Sequence, residues 1–262
     1  MNDDTRKRIW FFDFDGTLSL IVPERSAAVI HPVCKELLRE LASTPNEQVA
    51  VLSSRLLDDL IPRVAVAGVF LGGGSGVEWV VEGKDRWIID KKLETRLTAA
   101  REKILPHIMK LTAISGTEVE DKIWSVAIHT RKCNDESRMY TASMVENLRS
   151  QLNVRISRGP EVFEMQFLPE IDKAYGVQEF CKCLGFDPSD GEFVYAGDDE
   201  NDAAAMEWVL QHRGVAFTVG NAPLVPGAIV VESPESLAEA IHKLFRQEGK
   251  NGAEVKSCTF SK

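Results

Sequence analysis

Residues 9–18 read IWFFDFDGTL, four apolar side chains running without a break into Asp13, Phe14, Asp15, Gly16, Thr17 and Leu18. An unalternating apolar run is what a strand requires when a parallel sheet is covered on both faces. Its abrupt end in two carboxylates and a glycine predicts a strand tip and a turn. The same grammar continues outward. Residues 32–41 place Val33, Leu37, Leu38 and Leu41 at helical spacing behind Pro32. Residues 48–52 (QVAVL) form a second apolar strand that ends in Ser53, Ser54 and Arg55, residues 56–61 are helical, and residues 69–71 run into a GGGSG stretch at 72–76. Far down the chain the rhythm returns. A helix is expected over 174–184, a strand over 193–196 ending at Gly197, Asp198 and Asp199, a helix over 201–210, strands over 215–219 and 229–231, and a last helix over 236–245. Strands alternating with helices predict an α/β fold with a Rossmann-like parallel sheet core. Sites in such sheets lie at the carboxyl ends of the strands, where Asp13, Asp15 and Ser53 all fall.

The middle of the chain has a different period. Residues 77–81 and 86–89 read as a hairpin around 82–85, and 93–111 as a helix. Residues 124–129 (WSVAIH) alternate like a strand, 137–152 are helical, and 154–157 and 162–166 pair across 158–161. This predicts an inserted α+β cap over 84–168, with the core built from 1–83 and 169–250 and a polar tail at 251–262.

Composition bounds the functions. Of 262 residues, 44% are hydrophobic and 27% charged, ordinary for a globular protein. With 31 basic against 40 acidic residues, the net charge of −9 argues against nucleic acid or an anionic membrane as a partner. A small anion can still bind where a metal or lysine reverses the local field. The five cysteines, Cys34, Cys133, Cys181, Cys183 and Cys258, follow neither a disulfide nor a zinc pattern. No leader-like or membrane-spanning apolar stretch is present, so a cytoplasmic protein is expected.

Asp13 and Asp15 at one strand end, and Asp198, Asp199 and Asp202 at another, are acidic groups that repel unless a cation or shared proton compensates. Parallel strands can bring the two groups to one sheet edge, and such hard oxygen donors suit Mg2+. Read alone, Asp-Gly is a turn signal and the second group a helix cap. Lys173, leading a helix just after the insert, can bind phosphate and hold a carboxylate, or sit solvated on the surface. Ser53 can donate to a phosphate oxygen or cap the next helix.

These residues carry a resemblance. Asp13-Phe14-Asp15-Gly16-Thr17-Leu18 resembles the first motif (DxDGTL) of the haloacid dehalogenase superfamily. Ser53, Lys173 and the stretch GDDEND at 197–202 are similar to its second, third and fourth motifs, in order. The insert between the second and third resembles a C2B-type cap. Gly74-Ser75-Gly76-Val77-Glu78, Asp121-Lys122, His129-Thr130-Arg131, and Glu164 ahead of Asp172-Lys173 look most like trehalose-6-phosphate phosphatases. The resemblance implies that Asp13 is the nucleophile of an aspartyl-phosphate pathway and Asp15 the acid and base. Ser53 and Lys173 would bind phosphate. Mg2+ would be held by the Asp13 carboxylate, the Asp15 carbonyl and Asp198, with Asp199 and Asp202 in or behind the metal shell. Lys122, His129, Arg131 and Glu164 would face the sugar of a small sugar phosphate. The chain departs from the family pattern at Ser54 (usually glycine), Ser75 (usually histidine), Thr130 (usually tyrosine) and Asn201. Other phosphosugars, a sugar phosphomutase and a catalytically silent regulatory domain are the competing readings, the last opposed by the intact acidic groups.

Overall fold

The apolar run at the start of the chain becomes β1 (Lys7–Phe12), whose last four residues are fully buried. The computed structural model describes residues 7–82, 84–88, 90, 92–152, 154–159, 161–189 and 191–257. Gly83, Ile89, Pro160 and the end of the tail, 258–262, which figure in the expectations above, lie outside the described residues. After β1 come α1 (Pro32–Ser43), β2 (Glu47–Leu52), α2 (Leu57–Val64), β3 (Phe70–Gly73), β4 (Glu78–Val80) and β5 (Trp87–Ile88). Next follow α3 (Lys92–Ile108), β6 (Glu118–Asp121), β7 (Ser125–His129), α4 (Asp135–Gln151), β8 (Arg155–Gly159) and β9 (Val162–Gln166). The chain closes with α5 (Lys173–Cys183), β10 (Gly191–Gly197), α6 (Ala203–Gln211), β11 (Val215–Val219), β12 (Ile229–Val231) and α7 (Pro234–Ser257).

The strands form an eight-stranded sheet of order β12-β11-β10-β1-β2-β3-β4-β5, in which β12 through β3 are parallel and β4 and β5 antiparallel. β1 sits at its centre, and its side chains alternate between two cores. Trp10 and Phe12 pack with Val49 and Val51 against Leu37, Leu38 and Leu41 of α1 and Ile241 of α7. Ile9 and Phe11 pack with Ala50 and Leu52 against Val177 and Phe180 of α5 and Met206 of α6. Two apolar faces explain why the strand shows no polar alternation. The Phe180 ring lies 4.3 Å from Trp79 and 5.0 Å from Phe70, tying α5 to the β3–β4 edge.

A second, antiparallel sheet of order β6-β7-β9-β8 packs one face against α3 and α4, with Val126, Ile128 and Met165 meeting Ile104, Ile108 and Val145. β5 falls inside the 84–168 segment but pairs with β4 in the large sheet, Trp79 opposite Trp87. Two elements differ from expectation. β6 is a strand with three carboxylates and one apolar residue, so only its pairing to β7 makes it extended. α7 continues to Ser257, into the stretch read as tail. Among the described residues no helix is long and apolar enough to cross a membrane.

The approach of α5 to the 72–76 loop is closer than any side chain permits. Gly76 has φ +90°, and a Cβ on Gly176 would meet the Ser75 backbone and lie 3.0 Å from the Gly76 Cα. Because both obstacles are backbone, neither can swing aside. Gly176→Ala is expected to cost about 1–3 kcal/mol of stability by overpacking, measured by urea denaturation. An unchanged midpoint would show that α5 moves away freely.

Candidate active site

The carboxyl ends of β1, β2 and β10 converge with the first turn of α5. Asp13 follows the last residue of β1 and its N–H donates to the Ala196 carbonyl at 2.9 Å, extending the β1–β10 ladder by one rung. Lys173 begins α5 just after Asp172, whose side chain caps the helix by accepting from the Tyr175 N–H at 2.8 Å. The Lys173 Nζ is 2% exposed and donates to Asp13 Oδ1 and to Asp202 Oδ1, each at 2.6 Å. Asp202 is fully buried and saturated. It also accepts from the Tyr195 hydroxyl at 2.7 Å and from the N–H groups of Asp198 and Asp199 at 3.2 Å. Asp199 instead turns its carboxylate onto the Glu200 N–H at 2.6 Å, capping the short turn Glu200–Asp202.

Carboxylate oxygens of Asp13, Asp198 and Asp202 lie within 4.8 Å of one another. Gly16 makes this possible: it has φ +78°, and a Cβ there would overlap the Asp198 carboxylate. One lysine cannot neutralise three acids, two buried and the third partly so. Burial, opposed by Lys173 and reinforced by Asp202 and Asp15, pushes the Asp13 carboxyl up to about 7. Burial and the charges of Asp13 and Asp202 push Asp198 to about 9. Burial works to lower the Lys173 pKa, but the attraction of Asp13 and Asp202 outweighs it and raises it.

Ser53 follows β2. It is buried, and its Oγ accepts from the Arg55 N–H at 3.1 Å. Asp15 is held apart from the buried acids by Arg55, whose Nε and Nη2 donate to its two oxygens at 2.7 and 2.6 Å. This buried guanidinium also donates to Asp59 at 2.5 Å. Arg55, Tyr195 and Arg25 were absent from the candidates read in the sequence. For Arg55 the signal was its place two residues after Ser53, at a strand end. Tyr195 and Arg25 gave no such signal, because Tyr195 lies within an apolar strand and Arg25 in an irregular loop.

The second sheet covers this edge. Lys122 is buried, and its Nζ donates to Glu164 Oε2 at 2.9 Å while Ser125 Oγ donates to Oε1 at 2.8 Å. Burial lowers the Lys122 pKa. Burial works to raise that of Glu164, but Lys122 and Arg25 prevail and bring it down. His129 lies 3.1 Å from Glu120, and its hydrogen bond leads the interactions that bring Glu120 down to about 2. The four cap candidates are thus divided. Lys122 and Glu164 join directly, and His129 reaches Glu120 on the neighbouring strand. Arg131 is half exposed and donates to the Pro23 carbonyl of the core. Further cross-links close the two layers: Trp124 Nε1 donates to Glu78 at 3.0 Å, and the Arg158 N–H to Glu200 at 3.1 Å.

Residues 11–232 match the family described as Trehalose-phosphatase. The chain is similar to the trehalose-phosphate phosphatase of Mycobacterium tuberculosis, 29% identical over 245 residues that make up 90% of this chain and 61% of that protein. It is also similar to trehalose-phosphate phosphatase B of Arabidopsis thaliana, 28% identical over 223 residues, 80% of this chain and 58% of that protein. The chain therefore spans about three fifths of the length of these curated relatives. Its fold is shared with the C-terminal domain of C. albicans trehalose-6-phosphate phosphatase, at a TM-score of 0.68 and 17% identity over 89% of this chain and 90% of that one. With a match that runs from β1 to the end of β12, the chain belongs to the trehalose-phosphatase family.

Proposed function

We propose that the protein is a Mg2+-assisted phosphatase that hydrolyses a sugar phosphate, trehalose 6-phosphate first, through an aspartyl-phosphate on Asp13. The observation that carries this reading is the buried Asp13–Lys173–Asp202 bridge beside Asp198, with Asp15 two residues from Asp13 yet bound to a separate arginine. Family membership supports the substrate class.

The donor set fits a divalent cation. One ammonium serves a cluster of three acids, and burial with mutual repulsion raises the pKa values of Asp13 and Asp198. The Asp13 carboxylate, the Asp15 main-chain carbonyl and Asp198 would hold Mg2+, with Asp199 and Asp202 supporting from behind. When bound, the ion supplies positive charge that neutralises these acids and the phosphoryl oxygens. The remaining work falls to the protein. Asp13 attacks phosphorus, splitting one difficult displacement into two. Lys173 keeps Asp13 oriented, and with Ser53 it binds phosphate oxygens. Asp15 gives its proton to the departing sugar oxygen, then takes one from the water that hydrolyses the acyl phosphate. Asp202 is a positioning residue, fixing Lys173 and the loop of Asp198 and Asp199. The insert serves as a cap that presents Lys122, His129, Arg131 and Glu164 to the sugar and excludes water.

Two outcomes test this. Phosphate release should be measured on trehalose 6-phosphate, sucrose 6-phosphate, glucose phosphates and glycosyl-glycerate phosphates, with Mg2+ and with EDTA. Asp13→Asn is expected to lose at least about 1,000-fold in kcat, about 4 kcal/mol of barrier. A requirement for a sugar 1,6-bisphosphate would indicate a mutase. Silence on the whole panel and on an aryl phosphate would refute the enzyme.

The second outcome is thermal. Above about pH 4 the unfolded chain has released the protons that Asp13 and Asp198 retain in the metal-free fold up to about 7 and 9. Stability through these groups is therefore full at low pH and lost as pH rises towards 9. In EDTA the Tm should fall between pH 6 and 9, and Mg2+ should restore it most at the alkaline end. A restored 1 kcal/mol corresponds to about 2–4 °C. Asp198→Asn should melt above wild type in EDTA at pH 8.5 and lose most of the Mg2+ response. A Mg2+ shift that is flat with pH would contradict the assignment.

A further inference from the structure

The loop between β1 and α1 sends one cation into the cleft. Arg25 opens the short turn Arg25–Ala27, and its carbonyl accepts from Arg55 Nη2 at 2.8 Å. The turn is thereby fixed to the same guanidinium that holds Asp15. From this anchor the Arg25 side chain, 29% exposed, reaches between the two layers. Its Nη2 lies 3.8 Å from Asp15 Oδ2, and its Nη1 lies 3.9 Å from Glu120 Oε2 on β6. Its charge also acts on Glu164 and Lys122. Its Nη2 also donates to Ser54 Oγ at 3.5 Å.

Both carboxylate separations exceed the roughly 2.7–2.9 Å of a direct charge-assisted hydrogen bond. An oxygen entering this cleft can accept from the guanidinium and donate to a carboxylate. Sugar hydroxyls do both, whereas phosphate oxygens mainly accept. Arg25 also stands beside Asp15, the proposed acid for the departing sugar oxygen, whereas Lys173 bonds Asp13 and Asp202. An arginine fork offers two parallel donors that a lysine cannot.

We propose that Arg25 is a specificity-determining residue that binds hydroxyl oxygens of the leaving sugar from the core side, opposite Glu120, Lys122 and Glu164 of the cap. This rests on the sugar-phosphatase reading of the same site. In the substrate complex Arg25 shares these hydroxyls with Glu120, so its contribution depends on a polyol leaving group and not on the phosphoryl centre.

The test compares wild type, Arg25→Ala and Arg25→Lys on the best sugar phosphate of the panel and on p-nitrophenyl phosphate. The aryl ester has no hydroxyls to bind and leaves with little protonation. In Arg25→Ala, kcat/KM for the sugar phosphate should fall about 10-fold or more, while the aryl ester stays within about 3-fold. The Lys variant should lie between. Taking the ratio of the two substrates in one preparation cancels any loss of folded protein. Parallel losses on both substrates would place Arg25 at the phosphoryl centre and overturn the proposal, as would no loss on either. Wild type that cleaves the aryl ester but no sugar phosphate would instead refute the sugar reading, and the inference with it.

Discussion

Everything at the site hangs on the two hydrogen bonds of one buried ammonium. Lys173 Nζ is shared by Asp13 and Asp202 at 2.6 Å each, and those three residues come from the end of β1, the start of α5 and the loop after β10. Taking Lys173 away would strand Asp13 and Asp202 without a counter-charge, a loss of about 3–5 kcal/mol in buried pairs. The bridge therefore fixes the spatial relation of three chain segments that are far apart in sequence. It also fixes the deficit. With Asp198 pressed in over Gly16, negative charge exceeds positive, and the raised Asp13 and Asp198 values record that excess. That excess is what the proposed Mg2+ would offset.

Around that bridge, arginines divide the carboxylates into separate roles. Asp13 and Asp15 are two residues apart, yet one bonds a lysine and the other a bidentate guanidinium. Arg55 is buried among Asp15, Asp59 and the Arg25 carbonyl, so Asp15 is held by a group that is itself immobilised. The same chain of contacts continues through Arg25 to Glu120 and through Arg131 to Pro23. Core and cap thus meet through polar and charged side chains, with Trp124 on Glu78, as well as through the apolar cluster that joins Val77 and Tyr175 to Trp124 and Phe167.

The part of the fold legible in the sequence was set by the apolar strands. IWFF and QVAVL declare a two-sided parallel sheet because no polar residue interrupts them, and the sheet then requires that their carboxyl ends share one edge. Asp13, Ser53 and Asp198 were placed on that argument, and Lys173 was brought to them by α5. The strand β6 was not legible: EVED has no strand pattern of its own and is extended because β7 lies beside it, Val119 opposite Ile128. Nor did periodicity show that β5 joins the large sheet, since a short strand pairs with whatever edge is near.

The linear order of residues determined the fold class, the acidic groups and the sheet edge on which they meet, because hydrophobic period and strand direction are local properties that survive without a partner. Which carboxylate bonds which cation was decided only in three dimensions. Asp202 rather than Asp199 completes the lysine bridge because the turn at Glu200–Asp202 aims one inward and leaves the other capping Glu200. Arg55 and Arg25 converge on Asp15 from positions 40 residues later and ten residues later in the chain. Their pairing depends on distance through space, which falls as the sheet closes and has no trace in the spacing of the letters.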